Sequence, residues 1–80
     1  MRFQLSARAE HNYELLTPTL RKIAQKQFNF FVVDIRHPSL RAKKYDEATG
    51  LWQARINKNW RFYFFVLNDH YFIASIRKHS

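Results

Sequence analysis

The sequence predicts an α+β domain in which a short N-terminal strand and two helices pack on an antiparallel sheet ending in a three-stranded meander. Three observations predict it. Apolar residues recur every three or four positions from Leu20 to Ile35, apolar residues alternate with polar ones in three runs after Gly50, and those runs are separated by Asn57-Lys58-Asn59 and Asn68-Asp69-His70. Eighty residues are too few to divide between two self-sufficient cores, so residues 1–80 read as a single domain.

Each element has its own signal. Arg2-Phe3-Gln4-Leu5 alternates and suits a short strand with Phe3 and Leu5 on one side. Ser6 is placed to cap a helix from Ala7, in which Ala9, Tyr13 and Leu16 form an apolar stripe. Thr17-Pro18 restarts the pattern, since threonine accepts a bond from an orphan N–H and proline is tolerated in the first helical turn. The second helix is expected to run to about residue 35, its face widened by Phe28, Phe30, Val32 and Val33 so that it sits between the first helix and the sheet. A strand over residues 28–33 is the alternative. His37-Pro38-Ser39 closes the helix, and residues 38–50, which carry no sustained period, read as a basic connector to the lone Gly50.

Register follows from the turns. With Lys58 central in the first, Arg55 pairs with Arg61, and Ala54, Ile56, Trp60, Phe62, Phe64 and Val66 share the opposite face. In the second, a two-residue Asn68-Asp69 loop pairs Leu67 with His70, and a three-residue loop pairs Leu67 with Tyr71. The three-residue loop is preferred. It gathers Phe72, Ala74 and Ile76 under the apolar face and leaves Ser75, Arg77 and His79 beside Arg61 and Tyr63.

The 46% hydrophobic content, with 8 Phe, 4 Tyr and 2 Trp, supports a dense core in a chain whose zero cysteines allow neither a disulfide nor a cysteine zinc site. The N-terminal residues lack a secretory pattern and no run approaches the roughly 20 apolar residues of a membrane span, so the expected compartment is the cytoplasm. A single glycine excludes phosphate-cradling glycine loops, and His11, His37, His70 and His79 show no metal-ligand spacing. Neither a metal nor another cofactor is expected. The formal charge of +8 is concentrated after Arg36, in Arg41, Lys43, Lys44, Arg55, Lys58, Arg61, Arg77 and Lys78, and such a field attracts a polyanion. Arg55 directly opposite Arg61 costs stability unless an anion lies between them or the guanidinium groups splay into water.

Pro38, Lys43-Lys44-Tyr45, Leu51-Trp52-Gln53-Ala54-Arg55-Ile56, Trp60-Arg61-Phe62-Tyr63 and Ile76-Arg77-Lys78-His79, in this order and spacing, resemble the RelE/ParE superfamily of bacterial toxins from type II toxin–antitoxin modules. The resemblance spans nearly the whole chain. It implies a toxin that inhibits translation by ribosome-dependent cleavage of mRNA in the ribosomal A site; the alternatives are a non-nuclease toxin acting on DNA gyrase and an inactive basic RNA-binding module. It also implies a cognate antitoxin, acidic or amphipathic, that covers the groove in a toxin–antitoxin hetero-oligomer. By the match of motifs, Arg55 and Arg61 take the two arginine positions on consecutive strands, Lys43 and Lys44 the basic approach, and His79 the histidine of the end motif. Two departures are plain. Ser80 stands where the histidine-bearing branch has tyrosine, and the acidic base of that branch has no equivalent, Asp46 and Glu47 lying off the pattern.

RNA carries its own nucleophile in the ribose 2′-hydroxyl, so the protein must position the nucleotide, move two protons and stabilise charge on the phosphorane. Histidine, with an intrinsic pKa of about 6.5, suits proton transfer near neutrality. The expected catalytic set is therefore His79 as acid or base, Arg61 on the developing charge and Arg55 on the phosphate. Lys43, Lys44, Arg41, Lys58 and Arg77 are expected to hold the RNA backbone, with Tyr63 stacking a base.

Overall fold

Ser6 and Thr17 start the two helices as their sequence contexts predict. In the computed structural model, which describes residues 2–79, the backbone N–H of Ala9 donates to Ser6 Oγ at 3.0 Å and that of Leu20 to Thr17 Oγ1 at 3.2 Å. These caps open α1 (Ala7–Glu14) and α2 (Pro18–Val33), which follow β1 (Arg2–Leu5). Residues 28–33 are helical, and α2 stops two residues earlier than its apolar period predicts. The stop is local. Asp34 leaves the helix with extended backbone, and its Oδ1 accepts the Arg36 N–H at 2.9 Å, an Asx turn that competes with another helical turn. That bond, made to the charged form, is the chief cause holding the Asp34 carboxyl below its ordinary pKa.

The connector expected at residues 38–50 contains structure of its own. Pro38–Leu40 makes one 3-10 turn, and Lys43–Asp46 forms a strand, β2, on the edge of the sheet. Lys43, Lys44 and Tyr45 are all exposed, so this edge strand shows no buried-and-wet alternation in sequence. The meander supplies β3 (Leu51–Arg55), β4 (Trp60–Leu67) and β5 (His70–Lys78). Strand order is β1-β5-β4-β3-β2, antiparallel throughout except that β1 adds parallel to β5, with Phe3 opposite Tyr71.

Arg55 lies opposite Arg61, as the first turn predicts. Asn57 fixes that turn by accepting the N–H groups of Asn59 and Trp60 at 2.8 and 3.0 Å. The second turn differs from expectation. Leu67 pairs with His70 across a two-residue loop whose first residue, Asn68, takes the positive φ of 57° that tight hairpins require. The expected register is nevertheless restored further along: Tyr63 pairs with Ser75 but Phe64 with Ile73, so Ala74 is an extra, bulged residue. Hence Tyr71 and Ile73, in place of Phe72 and Ala74, enter the core, and Phe72 lies opposite Phe65. Helix α1 staples the bulge. Ser6 Oγ donates to the Ala74 carbonyl at 2.7 Å, and the Ile76 N–H donates to Asn12 Oδ1 at 3.0 Å.

Both helices pack on one side of the sheet. Phe28 and Phe31 of α2 meet Phe62 edge-on, each at 5.1 Å between centroids, and Phe31 also contacts Phe64 and Tyr71 at 4.6 and 4.2 Å. This aromatic cluster, with Leu40, Ala54 and Ile73, is the centre of the core. Burial raises the pKa of the Tyr71 phenol, and the charge of Asp34 adds to the shift. Among the described residues, the opposite side of the sheet carries no helix.

Candidate functional site

The open face of the sheet is where strand alternation delivers the arginines. Arg55, Arg61 and Arg77 stand in one row across β3, β4 and β5, Arg61 being opposite both others. Arg55 and Arg61, with Arg41, Lys43, Gln53, Ala54 and His79, line a pocket of about 180 Å³. The ion pairs among the described residues, Arg36–Asp34 and Lys44–Glu47, lie elsewhere. Four cationic side chains and an imidazole therefore share a small cavity with no carboxylate among its lining residues, an arrangement that like-charge repulsion opposes and an anion relieves.

The backbone tie of each side chain explains its place. Arg61 Nη1 donates to the carbonyls of Asn57 and Trp60 at 2.7 and 3.1 Å, which holds the guanidinium in one orientation. Its Nε and Nη2 have no hydrogen-bond acceptor among the described residues. Such fixed donors stabilise a charge without reorganising as it develops. His79 follows the end of β5, where its N–H donates to the Asn59 carbonyl at 2.6 Å and so fastens it beside the β3–β4 turn. Arg41 is brought in from the helical layer. It has the left-handed backbone (φ 47°) that ends the 3-10 turn, a conformation costing a non-glycine residue about 1–2 kcal/mol.

Gln27 joins that layer to the site. It is 5% exposed on α2, and its Nε2 donates to the carbonyls of Arg55 at 2.7 Å and Ser39 at 3.1 Å while Oε1 accepts from Ser39 Oγ at 3.2 Å. One buried amide thus sets the distance between the backbone of Arg55 and the turn that carries Arg41.

A second, adjoining recess of about 280 Å³ is lined by Tyr45, Tyr63, Arg77, Lys78 and His79. The Arg77 guanidinium lies over the Tyr63 ring at 4.0 Å, and Tyr45 meets the same ring edge-on at 5.0 Å. Tyr63 is consequently 5% exposed, the floor under Arg77, with no open face for a base.

Of the nine site residues expected from sequence, Arg55, Arg61, Lys43 and His79 line the first pocket, and Arg77 lines the recess beside it together with His79 and Tyr63. Arg41 joins them from the 3-10 turn, and Tyr63 lies beneath them. Two stand apart. Lys44 points to the helix side of the sheet, over Trp52 at 5.2 Å and 4.0 Å from Glu47, because it alternates with Lys43. Lys58 is exposed on the β3–β4 turn, outside both recesses. Asp46 turns away, its Oδ1 accepting the Ala48 N–H at 3.0 Å. The position after His79, Ser80, lies outside the described residues. Sequence reasoning did not assign Gln53 or Tyr45; Gln53 was discoverable as the residue two before Arg55 on the same strand face.

No protein-family model matches the chain, and no curated protein matches it by sequence. Solved structures do match. A YoeB/ParE toxin from Agrobacterium tumefaciens superposes with a TM-score of 0.83 over 100% of both chains at 14% identity. A chain of the archaeal RelE–RelB complex from Pyrococcus horikoshii gives 0.82 over 99% of this chain and 94% of that one at 11% identity. A chain of the YoeB–YefM toxin–antitoxin complex from Staphylococcus aureus gives 0.77 over 98% and 95% at 19% identity. At these identities the likeness is one of architecture, extending over nearly the full length of each partner: the chain has the fold of the RelE/ParE superfamily toxins.

Proposed function

We propose that this domain is the toxin of a type II toxin–antitoxin module and that it blocks translation in the cytoplasm by cutting mRNA in the ribosomal A site. The observation that carries this reading is the pocket in which Arg55, Arg61, Arg41, Lys43 and His79 converge without a carboxylate. It has the charge and size to take one phosphodiester. The 2′-oxygen bonds to the adjacent phosphorus, the bond from phosphorus to the 5′-oxygen breaks, and the products are a 2′,3′-cyclic phosphate and a 5′-hydroxyl. Arg61, held by its two carbonyl bonds, faces the charge that grows on the phosphorane, while Arg55 and Lys43 hold the phosphate. His79 acts as the acid or the base at one of the two oxygens.

The partner follows from the same charge and from the likeness to chains solved in toxin–antitoxin complexes. An acidic antitoxin segment would neutralise the pocket, and complementary charge would speed its association.

Mapping transcript 5′ ends after induction tests target, reaction and site together. Wild type is expected to produce in-frame cuts with 5′-hydroxyl ends, and Arg61→Ala to lower cleavage about 100-fold or more while keeping the folded spectrum. Intact transcripts during growth arrest would refute the nuclease reading. Trapped DNA breaks in their place would select a gyrase-directed toxin, and unimpaired growth an inactive binding module.

A further inference from the structure

We infer that Tyr45, and not Tyr63, is the platform on which a base of the bound RNA stacks, beside the scissile phosphate. The inference rests on the RNA-cleavage reading above and deepens it by naming a substrate-positioning residue. Three features of Tyr45 carry it. First, it is 54% exposed, the one aromatic side chain of an edge strand whose other residues are Lys43, Lys44 and Asp46. Secondly, it is the bulged residue of β2. Lys44 pairs with Trp52 and Asp46 with Leu51, so Tyr45 has no partner across the ladder, and alternation after Lys44, which faces the helix side, turns its side chain to the face that carries Lys43. Thirdly, that side chain lands on the open face, edge-on to Tyr63, in the recess it shares with Arg77 and His79.

His79 lines both this recess and the cationic pocket. A nucleotide whose phosphate occupies the pocket therefore has the recess within reach of its base. The surfaces available there are the Tyr45 ring and the side of the Arg77 guanidinium away from Tyr63, over whose ring it already lies. Bases of single-stranded RNA stack on both kinds of surface, with little dependence on their identity. Tyr63 acts through Arg77, whose guanidinium it holds 4.0 Å above its ring, and is a positioning residue.

The test uses a single-stranded RNA made uncleavable by a 2′-O-methyl group at each ribose, with 2-aminopurine at successive positions. Binding of the wild-type protein is expected to quench the fluorophore at one position. Tyr45→Ala is expected to abolish that quench and weaken RNA binding by roughly 5- to 100-fold, whereas Tyr45→Phe and Tyr45→Trp retain both. Poly-glutamate, which has charge but no bases, is expected to bind wild type and Tyr45→Ala equally. RNA binding with an unchanged quench in Tyr45→Ala overturns the inference and leaves the nuclease reading standing. An equal loss of poly-glutamate binding overturns it as well, since the residue then serves a protein or charge contact. Absence of any RNA binding by wild type overturns both readings.

Discussion

Gln27 donates its buried side-chain amide to the carbonyl oxygen of Arg55 at 2.7 Å, across the boundary between the helical layer and the sheet. The bond is unusual in its placement: a polar side chain sits on the apolar stripe of α2, and its acceptor is the backbone of a pocket residue. Gln27→Leu keeps the volume but strands the Arg55 and Ser39 carbonyls, at a cost of about 1–3 kcal/mol. For a domain of this size each kcal/mol is worth about 4–8 °C in Tm. Thermal unfolding by circular dichroism is expected to show a fall in that range, and anion binding a further loss as Arg41 and Arg55 drift apart.

Arg41 contributes charge at the expense of backbone strain. Asparagine tolerates the left-handed region better, so Arg41→Asn is expected to leave the unfolding free energy unchanged or raise it by up to about 1 kcal/mol. The same change removes a cation from the pocket. The slope of log K against log salt for single-stranded RNA is expected to fall by about one phosphate's contribution, which a titration at four salt concentrations measures. A variant that gains stability while losing affinity would separate the two effects cleanly.

The Ala74 bulge is held by Ser6 and Asn12, and it is the bulge that returns β5 to the register in which Arg77 faces Arg61. Asn12→Ala leaves the Ile76 N–H without its acceptor, and Ser6→Ala also removes the cap of α1, worth about 1 kcal/mol alone. Hydrogen exchange at Ile76 is expected to accelerate in both variants. Transcript cleavage is expected to fall further than the loss of stability explains, because the strand leading to His79 loses its anchor.

Tyr71 makes one contribution to stability that depends on alkaline pH. Its phenol pKa is raised in the folded state, mainly by burial, so the neutral form is favoured there over the unfolded chain. This contribution is fully present below the unfolded value of about 10 and is lost as pH rises through the folded one. Tyr71→Phe is expected to flatten the decline of urea midpoint above pH 10. Near neutrality the two proteins are expected to differ little.

Much of the architecture was legible because local signals agreed with one another. Ser6 and Thr17 named the helix starts, and Asn57-Lys58-Asn59 with alternating neighbours placed Arg55 opposite Arg61, which is the relationship the pocket depends on. What was illegible was single-residue insertion. A bulge leaves the apolar alternation intact on each side and shifts only its phase, so the Asn68-Asp69 loop was mistaken for a longer one and Phe72 was assigned to the core. The other bulge, at Tyr45, lies in an edge strand with water on both sides, where no hydrophobic period exists to be read. Gln27 did leave a mark, as the one amide in a run of Leu20, Ile23, Ala24 and Phe31, although its partner was visible only in three dimensions.

The parallel union of β1 with β5 has a consequence in time. Phe3 finds its neighbour only in Tyr71, so the earliest strand to be synthesised waits for nearly the whole chain before it can join the sheet. A nascent polypeptide halted anywhere short of residue 70 lacks β5, the strand that joins β1 to the rest of the sheet, and His79 emerges later still. On the proposed reading, the mRNA cut first is therefore expected to be on ribosomes other than the one still making this chain.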